Sequence, residues 1–186
     1  MSQGNSHLDP ELLAQGDRRN VVDKYRNWKN EAIKADLDKT RVDLQVAIEN
    51  FQHDFNIGSI VRTANAFNVG AVHIIGKKQW NRRGAMVTDR YLHVFHHPTV
   101  ADFTKAVEGL PIIAVDNLPG AVPLSQTLLP RQSVLVFGGE GPGLSEDMQA
   151  LAEKMIMIEQ FGSTRSVNVG VAAGIAMYAW VQQNIL

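Results

Sequence analysis

From Val42 onward, short apolar runs take turns with longer stretches in which apolar residues recur every three or four positions. The runs predict strands at VDLQVAIEN (42–50), AVHIIG (71–76), PIIAVD (111–116), QSVLVFG (132–138) and MIMI (155–158). Between them, Ile57, Ile60, Val61, Ala64 and Phe67 fall on one helical face, with Gly70 as the stop. Residues 99–110 and 144–154 read as two more helices, and 168–183 as the last. That last helix is apolar almost all round, which predicts burial, and Gly170, Ala173 and Gly174 allow close packing. Apolar strands alternating with helices predict an α/β fold: a mostly parallel sheet with helices on both faces.

Residues 1–41 have a different texture and are expected to form an N-terminal helical extension to a domain spanning 42–186. Val22, Tyr25, Trp28 and Ala32 sit at helical spacing, which predicts one or two short amphipathic helices. Arg18, Arg19, Lys24, Arg26 and Lys29 are interleaved with Asp17, Asp23 and Glu31. This mixing favours a surface helix packed on the domain over an arm that grips a large substrate.

Bulk composition narrows the chemistry. The chain has 186 residues, enough for one real core, and a net charge of −1, so no chain-wide basic field attracts nucleic acid. It has no cysteine, which excludes disulfides, zinc–thiolate sites and a thiol nucleophile. The N-terminus is polar and unlike a signal peptide. The longest apolar run, Val169 to Val181, falls short of the roughly 20 residues of a membrane span. A cytoplasmic protein without a membrane partner is expected.

Three segments carry candidate chemistry. In VLVFGGEGPGLSED (134–147) a strand runs into Gly138, Gly139, Gly141 and Gly143 before a helix. The spacing is G-x-G-x-G, which fits neither a dinucleotide fingerprint nor a P-loop. Pro142 removes an N–H donor, and Glu140 would repel a phosphate, so the turn suits a neutral or cationic ligand better. In FGSTRSVNVG (161–170), Ser163, Thr164, Arg165, Ser166 and Asn168 crowd in front of the last helix. Extended backbone there puts Ser166 and Asn168 on one side and Val167 on the other. One of the two polar residues is open to a plainer role as N-cap, and the free N–H groups behind it favour an anion. In NIGSIVRTANAF (56–67), Arg62 stands beside the apolar stripe, with Glu140 as an available partner at another strand's carboxyl end.

A fourth stretch, residues 77–97, holds Lys77, Lys78, Arg82, Arg83 and Arg90 against one acid, Asp89. Trp80 and Tyr91 are candidates for stacking on bases. A solvated basic loop is the competing reading. His93, His96 and His97 lack the carboxylate pattern of a metal site and are expected on the surface or facing RNA.

Together these segments resemble the SpoU (TrmH-like) class of the SPOUT RNA methyltransferases. NIGSIVRTANAF, VFGGEGPGLSED and STRSVNVGVAAGI are similar to that family's three motifs, in its order, over Val42 to about Trp180. The resemblance implies a C-terminal deep trefoil knot, a homodimer with active sites near the subunit interface, and S-adenosylmethionine as cofactor. It implies that Gly138, Ile158 and Val167 contact the cofactor, with Gly139 and Gly141 beside them. It implies methyl transfer to a ribose 2′-oxygen of tRNA or rRNA. Arg62 would meet charge developing on that oxygen and Glu140 would orient it. Ser166 and Asn168 would hold the target nucleotide, and Asn56 the loop or the substrate. Arg82, Arg83, Arg90 and Arg165 are the candidate RNA contacts, and no metal is implied. The rival readings are a non-catalytic RNA-binding or assembly factor of this fold and a different nucleotide-binding α/β enzyme. Which RNA and which nucleotide are not specified, although the short N-terminal arm leans slightly towards tRNA. This chain departs from the family pattern at Glu159–Gln160, usually Pro-Met, at Asn68, usually Gly, and at Gly170, often Ser. With the last helix as the final element read, the basic C-terminal tail of some relatives is not expected.

Overall fold

The computed structural model of the chain describes residues 6–51, 56–139 and 141–186. Seven parallel strands form one sheet: β1 (Val42–Asn50), β2 (Val69–Gly76), β3 (Val94–His97), β4 (Ile112–Val115), β5 (Val122–Pro123), β6 (Ser133–Phe137) and β7 (Lys154–Met157). Their order across the sheet is β3-β2-β1-β6-β4-β7-β5. The helices are α1 (Pro10–Gln15), α2 (Asn30–Leu37), α3 (Ile57–Ala66), α4 (Val100–Ala106), α5 (Glu146–Leu151) and α6 (Val169–Asn184). Among the described residues no helix is long and apolar enough to cross a membrane.

The central strands bury both faces, which is why they read as unbroken apolar runs. Leu44, Val46 and Ile48 of β1, with Leu135 and Phe137 of β6, point to the α3/α6 layer. Ala47 of β1, with Val134 and Val136 of β6, points to the α4/α5 layer. The α3 stripe of Ile57, Ile60, Val61 and Ala64 is buried as its spacing predicts. Asn68, not Gly70, ends that helix: it takes a left-handed φ of 51°, and Gly70 lies inside β2. Its side chain is gripped on both ends, by Arg41 Nη1 at 3.1 Å and Leu37 O at 3.2 Å.

The helical reading through Val22, Tyr25, Trp28 and Ala32 holds only in part: α2 carries Ala32, while the stretch before it forms just a 3-10 turn at Asp23–Tyr25. Side chains there take over the backbone groups: Asn27 N donates to Asp17 Oδ2, Arg19 Nη2 to Trp28 O, and Arg26 Nη1 to Asp17 O. Such local bonds compete with a helix, and α2 starts only at Asn30. Lys24 pairs with Asp36 at 2.5 Å and Lys29 with Ser6 O at 2.9 Å. The interleaved charges are thus largely satisfied within the segment. Arg41 joins the segment's end to the domain through Asp38, Asn68, Val69 O and Tyr91 O.

The basic stretch is more structured than expected. It contains short 3-10 turns at Arg83–Ala85 and Thr88–Tyr91, and then β3. Between the turns, Met86 (φ 48°) and Val87 (φ 68°) are both left-handed. For bulky residues that conformation is strained, by about 1–3 kcal/mol each. Tyr91 is buried, so its ring is not presented for stacking on a base, and Trp80 is half-buried against the α3/α6 core with Arg82 over its ring. His97 is buried rather than facing outward.

His97 Nε2 lies 2.8 Å from His73 Nδ1, and His73 Nε2 lies 2.8 Å from Gln45 Oε1. The amide oxygen only accepts, so His73 Nε2–H donates to it. His73 Nδ1 then accepts from His97 Nε2–H. A second proton on His73 has no acceptor, and burial lowers its pKa to about 4. Burial lowers His97 as well. The folded His73 stays neutral while an unfolded histidine protonates near 6.5, so stability is lost as pH falls from about 6.5 to about 4. In denaturant melts across that window, His73→Gln is expected to remove up to about 3 kcal/mol of the acid-induced loss. An unchanged pH slope would contradict this assignment.

Candidate functional site

The carboxyl ends of β4, β6 and β7 open into one cleft of about 550 Å³. Its walls come from residues 115–118 after β4, from the glycine turn after β6, and from Ile158, Gln160 and 165–169 after β7. This is the crevice position typical of open parallel sheets.

The glycine turn is shaped by close approach. A Cβ on Gly138 would stand 2.2 Å from Gly143 C and 2.4 Å from Leu144 N. No side chain fits between those backbone segments. The turn closes on itself as Gly143 N donates to Gly139 O at 3.1 Å. Gly143 needs a left-handed φ of 69° and passes under the Asp116 carboxylate. Two acids then clamp the exit. Asp116 Oδ2 accepts from Leu144 N at 3.2 Å. Glu49, buried at the end of β1, accepts from Ser145 N at 2.7 Å and Ser145 Oγ at 2.6 Å. Burial pushes the Glu49 carboxyl up, and its bonds to Ser145 pull back against that rise. Neither acid was singled out from sequence. Both stand at the carboxyl end of an apolar strand, and that position was the available signal.

Asn168 is the N-cap of α6. Its Oδ1 accepts from Gly170 N at 2.9 Å and Val171 N at 3.3 Å. Two of the helix's free donors are therefore taken, which leaves less for an anion than the sequence suggested. Its Nδ2 donates to Asn56 Oδ1 at 2.9 Å, and Asn56 stands at the start of α3. The two helices run side by side from this bond. Ser59 approaches Gly170, Thr63 approaches Gly174, and Phe67 lies near Tyr178. A Cβ on Gly170 would stand 3.1 Å from Asn168 Oδ1, so the residue that replaces the common serine leaves the cap room.

Of the expected cofactor residues, Gly138, Gly139, Gly141, Ile158 and Val167 all line the cleft. Ser166, Asn168 and Arg165 line it too. Residues 166–168 form no strand, and Ser166, Val167 and Asn168 all line the cleft. Asn117 Nδ2 donates to Arg165 O and fixes that loop across the opening. Glu159 accepts from Ser125 Oγ, so its charge points to the loop after β5. Gln160 lines the cleft, and its Oε1 is buried with no hydrogen-bond partner among the described residues. Arg62 is exposed on α3 and is not among the residues lining the cleft of its own chain. It has no hydrogen bond or ion pair among the described residues. Glu140, its expected partner, lies outside them. Arg83 and Arg90 are exposed, while Arg82 pairs with Asp89 at 3.3 Å.

Residues 43–178 match the SpoU rRNA Methylase family. The chain is 27% identical over 147 residues to a tRNA (guanosine(18)-2'-O)-methyltransferase of Escherichia coli K12, covering 76% of this chain. It spans 64% of that relative's length. The crystal structure of an A. aeolicus TrmH/SpoU tRNA modifying enzyme superposes with a TM-score of 0.72 at 26% identity, over 83% of this chain and 81% of that one. The SpoU methyltransferase AviRb from Streptomyces viridochromogenes, in complex with the cofactor AdoMet, superposes with a TM-score of 0.69 at 25% identity, over 80% and 63%. A family match across most of the domain, with all three motif segments meeting around one interhelical bond and one cleft, makes this chain a member of the SpoU rRNA Methylase family.

Proposed function

We propose that the chain is an S-adenosylmethionine-dependent methyltransferase acting on a ribose 2′-oxygen of RNA. The observation that carries this reading is the convergence of the glycine turn, the 158–168 loop and the capped start of α6 on one cleft. The cleft fits the cofactor. Its volume is in the range of small-molecule sites. Val115, Leu118, Ile158 and Val167 offer apolar surface to an adenine, and Gln160 Oε1 is a buried acceptor without a donor among the described residues. When bound, S-adenosylmethionine supplies an electrophilic methyl group on a cationic sulfur. Asp116 lines the same cleft and puts negative charge beside such a cation.

The chain's own residues then have three tasks. The glycine turn lets backbone approach the cofactor without side chains in the way. Ser166 and the Asn168–Asn56 pair position the nucleotide at the cleft mouth. Arg62, outside the cleft of its own chain, serves the cleft of a second copy and faces the 2′-oxygen, whose proton passes to solvent water as the methyl group leaves sulfur. A guanidinium stays protonated and so serves as an electrostatic partner for the forming alkoxide, not as the base.

The reading extends to a homodimer. Val171, Ile175 and Tyr178 of α6 are 54%, 40% and 47% exposed. The helix expected to be buried thus leaves an apolar stripe open in the single chain. A second copy is the natural cover. Docking there brings α3, which packs on α6, and its Arg62 towards the interface. The deep trefoil knot belongs to the same proposal, supported by family membership.

Arg62→Ala is expected to lower turnover on RNA from a strain lacking this protein by about 10²–10³-fold, with cofactor affinity unchanged. Arg62→Lys should recover only part of it, and near-normal turnover in both would remove Arg62 from the mechanism. Gly138→Ala is expected to abolish cofactor binding in calorimetry, because its methyl forces the turn apart. Wild-type affinity would show that the turn is not the cradle. Ile175→Asp should give a monomer in sedimentation, and an unchanged dimer would place the interface elsewhere.

A further inference from the structure

We infer that the left-handed pair Met86–Val87 is an RNA-contacting knuckle, a preformed apolar tip flanked in sequence by exposed arginines that inserts against the nucleotides of the substrate strand. This rests on the reading of RNA as substrate and adds a contact surface to it. Three observations carry it.

The first is the conformation. Two successive bulky residues at φ 48° and 68° join two 3-10 turns. Strained backbone survives only where its surroundings over-determine it. Here they do. Gly58, in the first turn of α3, leaves no room for a Cβ: one would stand 2.8 Å from Ala85 N and 2.9 Å from Asn81 O. The loop is pressed onto the helix at that point. Thr88 Oγ1, itself buried, donates to Ala85 O at 2.7 Å, and Arg82 pairs with Asp89 across the two turns.

The second is exposure. The rigid frame holds its two apolar side chains outward: Met86 is 52% exposed and Val87 46%. The adjoining Ala85 and Thr88 are buried, so the loop turns inward on either side and presents only this pair. A loop optimised for stability alone would carry Gly or Asn at these angles and polar side chains at this exposure.

The third is charge and place. Arg83 and Arg90 flank the tip, exposed and without an ion pair among the described residues. Lys77 and Lys78 precede it in a stretch with one acid, Asp89, already paired with Arg82. Exposed apolar side chains with arginines a few residues away on either side, unpaired among the described residues, match a nucleic-acid strand, in which phosphates flank stacked bases. The loop also rests on the turn of α3 that follows Asn56, the residue bonded to Asn168 at the cleft. The knuckle is therefore anchored on the same helix start that is bonded to the cleft residue Asn168.

Strain and contact separate in one pair of variants. Val87→Asn and Met86→Gly accept left-handed backbone while removing the apolar tip. Each is expected to raise Tm, by about 2–4 °C. Each should leave S-adenosylmethionine affinity in calorimetry unchanged. Each should weaken binding of unfractionated tRNA or rRNA, in filter binding at fixed salt, about tenfold. RNA affinity within twofold of wild type for both variants overturns the knuckle while leaving the methyltransferase reading intact. So does a fall in Tm for both, or a loss of the dimer in sedimentation in place of a loss of RNA binding. Wild-type protein that binds neither RNA overturns the inference and the reading beneath it.

Discussion

One side chain, Asn168, ties the site together. Its oxygen caps α6 and its amide nitrogen holds Asn56 at the head of α3. The cap alone is worth about 1 kcal/mol. The larger consequence is geometric. The 158–168 loop must end where α6 begins, and α3 must begin there as well. Small residues on α6, Gly170 and Gly174, let the two helices stay close along their length. The side chain of α3 that the proposed chemistry needs, Arg62, then inherits its position from a hydrogen bond two turns away.

The other wall of the cleft is held by exclusion and by charge. At Gly138 two backbone segments pass too close for any side chain. At the turn's exit, Glu49 and Asp116 accept backbone N–H groups from Ser145 and Leu144. A loop rich in glycine is entropically free when unfolded. Here it is fixed by carboxylates on the ends of the two strands that flank β6. The sheet, the most rigid part of the fold, thus sets the shape of its most permissive segment.

Much of this was legible in sequence, and the gaps have physical causes. Parallel strands buried on both faces must be apolar throughout, so β1, β2, β4, β6 and β7 announce themselves. β3 did not, because VFHH at the sheet's edge mixes polar with apolar residues, and β5 is only two residues long. Spacing from Val22 to Ala32 looked helical, but spacing does not register that Asp17, Arg19 and Arg26 offer the backbone before Asn30 better partners. The burial of Tyr91 and His97 was masked by the basic residues around them. The all-round apolar α6 was read as buried, and its own chain covers only part of it. Sequence does not distinguish burial within a chain from burial by a second copy. Of the residues named from the motifs, Gly138, Gly139, Gly141, Ile158, Ser166, Val167 and Asn168 line the cleft and Asn56 and Arg62 do not, whereas Glu49 and Asp116 escaped notice because each looked like an ordinary strand end. The helix stop was placed at Gly70, because glycine is the usual left-handed residue, whereas Asn68 takes that conformation here.

The most direct test is mass-spectrometric mapping of 2′-O-methyl nucleotides in total RNA from a strain deleted for this protein and complemented with wild type or with Asn168→Ala. The account predicts that a ribose methylation disappears on deletion, returns with wild type and does not return with the variant. No mark lost on deletion, or full restoration by Asn168→Ala, would contradict it.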